Sequence, residues 1–109
     1  VARGAEIGRG TVILPGVMVM TGAHIGDNCI VDLGSTVDHD CMIGSHTFIG
    51  PGVTIPGEVV IGARCFFGVK SATFLRVKIG DDVTVRGGSL VTKDVAPGAK
   101  VGGIPAVRI

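Results

Sequence analysis

The sequence predicts an all-β solenoid of parallel strands, because its residues repeat with a period of six. Stepping by six from Val1 meets an apolar residue at fifteen of sixteen positions, with Thr73 the exception. A second series, four residues further on, holds only small or β-branched residues from Ala5 to Val95. The phase runs from Val1 to Val95 without an insertion. A six-residue period does not match the helical repeat, so helices are excluded as the main element.

Each six-residue unit is expected to form one short strand and one turn, with both series pointing inward. Three units then close a triangular coil of 18 residues, and the coils stack at about 4.7–4.9 Å. Residues 1–90 make five coils, and Val91 opens a sixth. Glycine follows the first position in several units and is expected to supply turn conformations that strain other residues. These glycines are Gly8, Gly26, Gly44, Gly50, Gly62 and Gly80.

The last residues depart from the repeat. After Val95 the chain contains Pro97-Gly98, Gly102-Gly103 and Pro105, a composition typical of turns. An open solenoid end exposes unpaired strand edges, which proteins commonly cover. The sequence therefore predicts a β-helix over residues 1–96 and a capping tail over residues 97–109.

Composition narrows the classes of function. The formal charge of +1 comes from ten basic and nine acidic residues, so neither a nucleic-acid stripe nor a polybasic membrane patch is indicated. No apolar run reaches the roughly 20 residues that a membrane span needs, and no signal peptide is recognised. The first residue is Val, already in phase with the repeat, so we expect the chain to be part of a longer protein.

All three cysteines occupy the small inward position. Cys29 and Cys65 are 36 residues apart on the same face, which places their Cα atoms about 9–10 Å apart, too far for a disulfide. Cys41 belongs to another face. We expect buried free thiols that act as small hydrophobes, with a catalytic thiol as the alternative. Free thiols fit a reducing compartment and favour a cytoplasmic protein.

The chain resembles the hexapeptide-repeat acyltransferases over its whole length. The ending Val91-Thr92-Lys93-Asp94-Val95-Ala96-Pro97-Gly98, followed by Gly103-Ile104-Pro105-Ala106, is similar to that family's ending. The segment His39-Asp40-Cys41-Met42-Ile43-Gly44, with Pro51-Gly52-Val53 and Pro56-Gly57-Glu58-Val59, resembles one branch more closely. That branch contains sialic acid O-acetyltransferases and nucleotide-linked 4-amino-sugar N-acetyltransferases.

The resemblance implies a left-handed parallel β-helix, although the general crossover rule favours right-handed connections. It implies an enzyme that transfers an acetyl group from acetyl-CoA to an amine or hydroxyl of a sugar. It further implies a homotrimer whose sites lie between subunits. Members of the branch usually carry an N-terminal Rossmann-like domain that holds the nucleotide or sugar. The 109 residues do not include such a domain, which leaves the acceptor open.

His39 is the candidate general base. It stands two residues after Val37, at a turn position whose side chain points away from the interior, so the pattern alone leaves a solvated histidine or a base. The resemblance favours the base, since imidazole titrates near neutrality. A carboxylate should orient the ring. The resemblance favours Asp40 for this role, and Asp38 is the alternative orienter or a substrate contact. Gly57, 18 residues after His39, is assigned by resemblance as the N–H donor to the thioester carbonyl.

The resemblance also points to residues that hold coenzyme A. The backbone at Val69 and Gly87 is expected to contact pantetheine. Lys93 is expected to contact the nucleotide phosphates, with Lys100 and Arg108 as further candidates. Asp32, at the preceding corner, is a candidate acceptor contact.

Two other classes of function compete with the acetyltransferase. A zinc enzyme similar to the hexapeptide-repeat carbonic anhydrases would use His24, His39 and His46, but these occupy three different phases of the repeat. No metal is therefore expected. A solenoid that only assembles partners would show no thioester turnover.

Overall fold

The computed structural model describes all 109 residues, and three parallel sheets form the sides of a triangular prism measuring 36 × 21 × 20 Å. Strands are numbered in chain order. The first sheet contains β1 (Glu6–Ile7), β4 (His24–Ile25), β7 (Met42–Ile43), β10 (Val60–Ile61) and β13 (Lys78–Ile79). The second contains β2 (Val12–Ile13), β5 (Ile30–Val31), β8 (Phe48–Ile49), β11 (Phe66–Phe67), β14 (Thr84–Val85), β16 (Lys100–Gly103) and β17 (Ala106–Arg108). The third contains β3 (Met18–Val19), β6 (Thr36–Val37), β9 (Thr54–Ile55), β12 (Ala72–Thr73) and β15 (Leu90–Val91).

The predicted repeat sets the register of the sheets. Paired residues are 18 apart, as in Ile25↔Ile43 and Ile43↔Ile61, so each coil lies squarely on the one before. The branched series is buried from Val19 to Val91, and the small series from Ala23 to Ser89. The predicted all-β solenoid of about five coils is therefore confirmed. No helix in the structure is long and apolar enough to cross a membrane.

The glycines after the first position have another role than the one predicted. The left-handed conformation falls two residues later in the unit, where φ is positive at every sixth residue. Gly8 and Gly44 lack positive φ, but a Cβ at Gly8 would lie 2.5 Å from the Gly26 carbonyl carbon. A Cβ at Gly44 would lie 2.5 Å from the corresponding carbon of Gly62. The prediction was wrong for these glycines, because their role is to let neighbouring coils approach.

Side chains at the small inward position donate hydrogen bonds as well as filling space in the core. Side chains there donate to the carbonyl 15 residues later: Thr11 to Gly26, Cys29 to Gly44, Ser35 to Gly50, Cys41 to Pro56, Thr47 to Gly62 and Cys65 to Gly80. All three cysteines are buried and free. Their thiols occupy the same place as the Ser and Thr hydroxyls, so they act as donors and not only as small hydrophobes.

The repeat changes phase earlier than predicted, between Val91 and Val95. Val95 pairs with Ile79, 16 residues before it, and Lys100 pairs with Thr84 at the same spacing. The corner is two residues short because the Asp94 carboxylate accepts the Lys78 N–H at 2.9 Å. A side chain thus replaces a backbone carbonyl. The following strands extend the second sheet. β16 runs parallel to β14, and β17 runs antiparallel to β16.

Candidate active site

His39 lies on the edge of the prism where turns lead from the third sheet to the first. We call this the His39 edge; it consists of residues 38–41, 56–59 and 74–77. The buried Val37 and Cys41 anchor the turn on either side of the histidine. Asp38 Oδ1 accepts the His39 backbone N–H at 2.7 Å, which fixes the turn. The imidazole is therefore held on a rigid corner while 47% of its side chain stays exposed.

Asp40 is the carboxylate that contacts the imidazole ring. Its Oδ2 lies 3.0 Å from His39 Nδ1. Asp40 has a φ of 57°, in the left-handed region that Asp tolerates better than most residues. The bond to Asp40 raises the pKa of His39 above its usual value, opposed by partial burial and aided by the charges of Asp38, Asp40 and Glu58. With Nδ1–H donating to Asp40, Nε2 is left as the free acceptor.

Gly57 of the next coil lies against the imidazole ring. A Cβ on Gly57 would lie 2.5 Å from His39 Nε2 and 2.9 Å from Cε1, so any larger residue would displace the ring. Gly57 is buried, yet its N–H makes no hydrogen bond within the chain. An unpaired backbone donor in a buried position is unusual and calls for an explanation. A free ring nitrogen and an unpaired backbone N–H therefore belong to two residues in contact.

The other predicted contacts occupy a different edge. Asp32, Val69 and Gly87 lie on turns from the second sheet to the third, which we call the Val69 edge (residues 32–35, 50–53, 68–71 and 86–89). The N–H groups of Val69 and Gly87 make no hydrogen bond within the chain, and both residues are exposed. The whole face of the third sheet separates this edge from His39. A single chain therefore does not bring the two groups together.

Lys93 follows β15 and lies on the same side of the prism as His39, three coils further along. Its side chain is exposed. Lys100 and Arg108 are also exposed, but they belong to the second sheet. Of the three candidate cations, only Lys93 follows a strand of the third sheet, as His39 does.

The thiol next to the catalytic candidate is not an activated nucleophile. Cys41 is buried, and its Sγ donates to the Pro56 carbonyl at 2.9 Å. Burial raises the pKa of the Cys41 thiol, which keeps it protonated at neutral pH. The structure gives Cys41 a place in the core instead.

The three histidines do not converge. His24 lies on the first sheet, 3.6 Å from Glu6, and His46 lies on the edge between the first and second sheets. No group of three or more His, Cys, Asp or Glu side chains is arranged to hold a metal ion. The geometry thus offers no support for a zinc site built from these histidines.

Open grooves line the faces of the prism. The largest, ≈ 480 Å³, lies on the first sheet around His24 and Met42 and contains none of the predicted site residues. A groove of ≈ 310 Å³ runs over the third sheet from Met18 and ends at Asp38 and Pro56, beside His39. The second groove is the more relevant to the candidate site, because it ends beside His39.

Two charged residues of the site were missed by the sequence analysis. Glu58 and Arg76 follow Asp40 at steps of 18 residues, so they stack above it on the His39 edge. Arg76 Nε lies 3.7 Å from Glu58 Oε2. The 18-residue step that placed Gly57 over His39 would have identified both.

Two family models match the chain. The model described as bacterial transferase hexapeptide (six repeats) matches residues 4–39 and 40–71. The model described as hexapeptide repeat of succinyl-transferase matches residues 58–93. These matches agree with the predicted left-handed β-helix. No curated protein matches the chain significantly by sequence.

Several solved structures superpose closely on the chain. The acetyltransferase domain of PglB from Neisseria gonorrhoeae is 31% identical with a TM-score of 0.97, covering 98% of this chain and 52% of that one. PerB from Caulobacter crescentus, in complex with CoA and GDP-perosamine, is 32% identical with a TM-score of 0.98, covering 99% and 52%. WeeI from Acinetobacter baumannii is 28% identical with a TM-score of 0.76, covering 92% and 55%. The chain therefore spans about half the length of these structures.

Proposed function

Because the chain belongs to the bacterial transferase hexapeptide family, we propose that it is an acetyl-CoA-dependent acetyltransferase acting on the amine of a nucleotide-linked amino sugar. The observation that carries the proposal is the free His39 Nε2 next to Gly57, whose N–H is unpaired, with Asp40 on Nδ1. Solved relatives support the substrates: one PglB structure contains acetyl coenzyme A, and PerB contains CoA and GDP-perosamine.

The proposed reaction is a direct transfer without an acyl-enzyme. The neutral amine attacks the thioester carbonyl, and the Gly57 N–H donates to the oxygen as it becomes negative. His39 Nε2 accepts a proton from the attacking nitrogen, and Asp40 stabilises the resulting imidazolium. When the C–S bond breaks, the imidazolium returns the proton to the leaving sulfur. The products are an amide and the free thiol of CoA, and His39 is again neutral.

An amine is favoured over a hydroxyl by the charges around His39. When a neutral amine attacks the carbonyl, its nitrogen carries a positive charge until it loses a proton, whereas a hydroxyl that attacks with base assistance carries none. Three carboxylates act on the ring, those of Asp38, Asp40 and Glu58, and Arg76 contacts Glu58. A field of this sign stabilises a cationic nitrogen. Sugar O-acetylation, as in sialic acid, is the alternative that the acceptor assay tests.

The two edges of the prism suggest a shared site. His39 and Gly57 lie on one edge, and Val69 and Gly87 lie on another. We infer that a neighbouring copy presents its Val69 edge to the His39 edge, so that pantetheine runs between them toward Lys93. Three copies related by rotation close such an arrangement. Asp32, on the Val69 edge, would then reach the acceptor from the neighbouring subunit.

The proposed activity is tested by following thiol release from acetyl-CoA with nucleotide-linked amino sugars, sialic acid or no acceptor. His39→Ala should lower turnover by about 10²–10⁴-fold, the range for loss of a general base. His46→Ala is the matched control, an exposed turn histidine on another edge, and should keep wild-type turnover. No thiol release with any acceptor, or normal turnover in His39→Ala, would favour the scaffold and reject the proposal.

The shared site is tested by mixing two inactive variants. Val69→Trp should block the pantetheine path, and because Val69 is 51% exposed the chain should fold normally. In mixed trimers of His39→Ala and Val69→Trp, one of the three sites is intact. Equal mixing should restore about a quarter of wild-type activity if the sites lie between subunits. No recovery, together with a mass equal to the 11.0 kDa of one chain, would reject this arrangement.

The domain organisation belongs to the same proposal. Residues 97–109 are proposed to cap the solenoid, supported by the burial of Ala99 and Val101. Deleting residues 97–109 should cause self-association, measured by light scattering.

A preceding nucleotide- or sugar-binding domain is proposed because the matched solved chains are about twice as long. A cytoplasmic location is proposed because the buried free thiols suit a reducing compartment.

A further inference from the structure

A column of charged residues continues upward from the carboxylate that holds His39. Asp40, Glu58 and Arg76 occupy the same turn position in successive coils, with φ of 57°, 61° and 59°. The Glu58 N–H donates to the His39 carbonyl at 3.0 Å, and the Arg76 N–H donates to the Gly57 carbonyl at 3.2 Å. Because coils stack at about 4.8 Å, the Glu58 carboxylate is the next charge beyond the His39–Asp40 pair.

Stability alone gives little reason for these two residues. Glu58 and Arg76 are 50% and 70% exposed, and exposed ion pairs contribute little to folding. Both take the left-handed conformation, which seven of the fifteen equivalent turns give to glycine. A side chain at this conformation costs about 1–2 kcal/mol per residue relative to the right-handed region. Glu58 and Arg76 therefore place their charges at positions where the backbone conformation disfavours a side chain.

We propose that Glu58 and Arg76 are positioning residues for the base: Glu58 adds to the negative field that favours protonated His39, and Arg76 limits that field by holding the Glu58 carboxylate. The inference rests on the proposed role of His39. The charges that act on the imidazole are those of Asp38 and Asp40 from its own turn and of Glu58 from the coil above, and Arg76, one coil further, contacts Glu58. The turn below, residues 20–22, has no charged side chain.

The proposal predicts that substitutions of Glu58 and Arg76 shift the pKa of His39 in opposite directions. Glu58→Gln removes a negative charge and should lower the pKa of His39, whereas Arg76→Gln frees Glu58 and should raise it. At one coil of separation in a largely aqueous setting, each shift should be about 0.3–0.5 pH unit at low ionic strength. About 0.5 M salt should reduce both shifts by screening. Arg76→Lys keeps the charge and should keep the wild-type titration.

The edge between the first and second sheets offers a matched control. Arg64 and Asp82 form an ion pair at 2.8 Å, also one coil apart and also at the left-handed turn position. Arg64→Gln and Asp82→Asn remove the same kinds of charge away from His39. Neither should change the titration of His39 or the pH dependence of kcat/KM.

The experiment is NMR titration of the histidine ring protons, with His24 and His46 as internal references, together with pH profiles of kcat/KM. Shifts of His39 in opposite directions for Glu58→Gln and Arg76→Gln, matched by the acid limb of the profile, are expected. An unchanged His39 titration in Glu58→Gln, or shifts of the same sign, overturns the proposal. If the pKa of His39 shifts in opposite directions but the protein shows no turnover, the proposed function is rejected and the effect of Glu58 and Arg76 on His39 is upheld. If Arg76→Gln does not fold, Glu58→Gln alone decides.

Discussion

The imidazole of His39 lies so close to Gly57 that a Cβ on Gly57 would come within 2.5 Å of Nε2. These residues are 18 apart in sequence, which is one coil of the solenoid. The contact places a proton acceptor next to a backbone N–H that has no partner in the chain. Glycine is required there for space and not for φ, since Gly57 is not in the left-handed region.

Gly57→Ala should therefore abolish most of the activity while the protein stays folded. The added methyl group would displace the ring from its place against Gly57, and a misplacement of about 1 Å can cost about 10²-fold in rate. Because the ring is 47% exposed, it can swing outward, so the free energy of unfolding should change little. The measurements are kcat/KM from thiol release and thermal unfolding.

Gly98→Ala is the matched control for that prediction. A Cβ at Gly98 meets nothing within 4 Å, but its φ is +78°. This substitution should cost about 1–2 kcal/mol of stability through backbone strain and leave kcat/KM unchanged. Wild-type activity in Gly57→Ala would show that the His39–Gly57 contact is irrelevant to turnover.

Asp40→Asn should move the pH dependence of the enzyme. The hydrogen bond to Asp40 is the largest cause of the raised pKa of His39. A general base must be neutral, so kcat/KM should fall below that raised pKa. The substitution should shift the acid limb to lower pH and reduce the plateau about tenfold or more, because the ring loses its orienting partner. An acid limb that does not move would show that another group titrates.

The same pair predicts the sign of a small stability effect. Because the pKa of His39 is raised on folding, its ion pair with Asp40 stabilises the fold fully below the unfolded value near 6.5. The contribution is lost as pH rises through the raised value. Wild type should therefore exceed Asp40→Asn in stability more at about pH 5.5 than at pH 9, as measured by urea unfolding. An equal difference in stability between wild type and Asp40→Asn at both pH values would show that the His39–Asp40 ion pair does not stabilise the fold.

Cys29→Ser and Cys29→Ala should differ in stability. Cys29 Sγ donates to the Gly44 carbonyl at 3.2 Å, and no other group donates to that carbonyl. Serine can keep the bond and also accept the Thr47 N–H, as Thr11 accepts the N–H of Cys29. Serine should therefore stay within about 1 kcal/mol of wild type, whereas alanine should lose about 1–3 kcal/mol. Equal stability of the two variants, measured in urea, would show that the thiol only fills volume.

Phe67→Ala should be the most costly single truncation of the core. Phe67 is 0% exposed and occupies a position that other coils give to Ile or Val. Its loss should cost about 3–5 kcal/mol. Phe66→Ala is the control: that ring is 48% exposed and stacks on Phe48 at 5.1 Å, so about 1.5 kcal/mol or less is expected. Similar losses of stability in both variants would contradict the assignment of Phe67 to the core and of Phe66 to the surface.

The sequence by itself determined the solenoid. Its six-residue period identified which residues face inward from Val19 to Val91, because every unit repeats the same backbone. The 18-residue step also places Gly57 one coil above His39. The resemblance identified the family that the comparisons show. These features depend on the order of residues along the chain, so the sequence is enough to predict them.

Other features depended on the tertiary structure. The positions of the side chains decided that Asp40 holds the imidazole and Asp38 holds the backbone N–H, since a period says nothing about rotamers. The Asp94 side chain shortened the last corner by replacing a carbonyl that the repeat would have supplied. Gly57 is buried against His39, whereas Val69 and Gly87, at the same position of the six-residue unit, are exposed. The repeat does not predict this difference, because it depends on which side chain the neighbouring coil places against the turn.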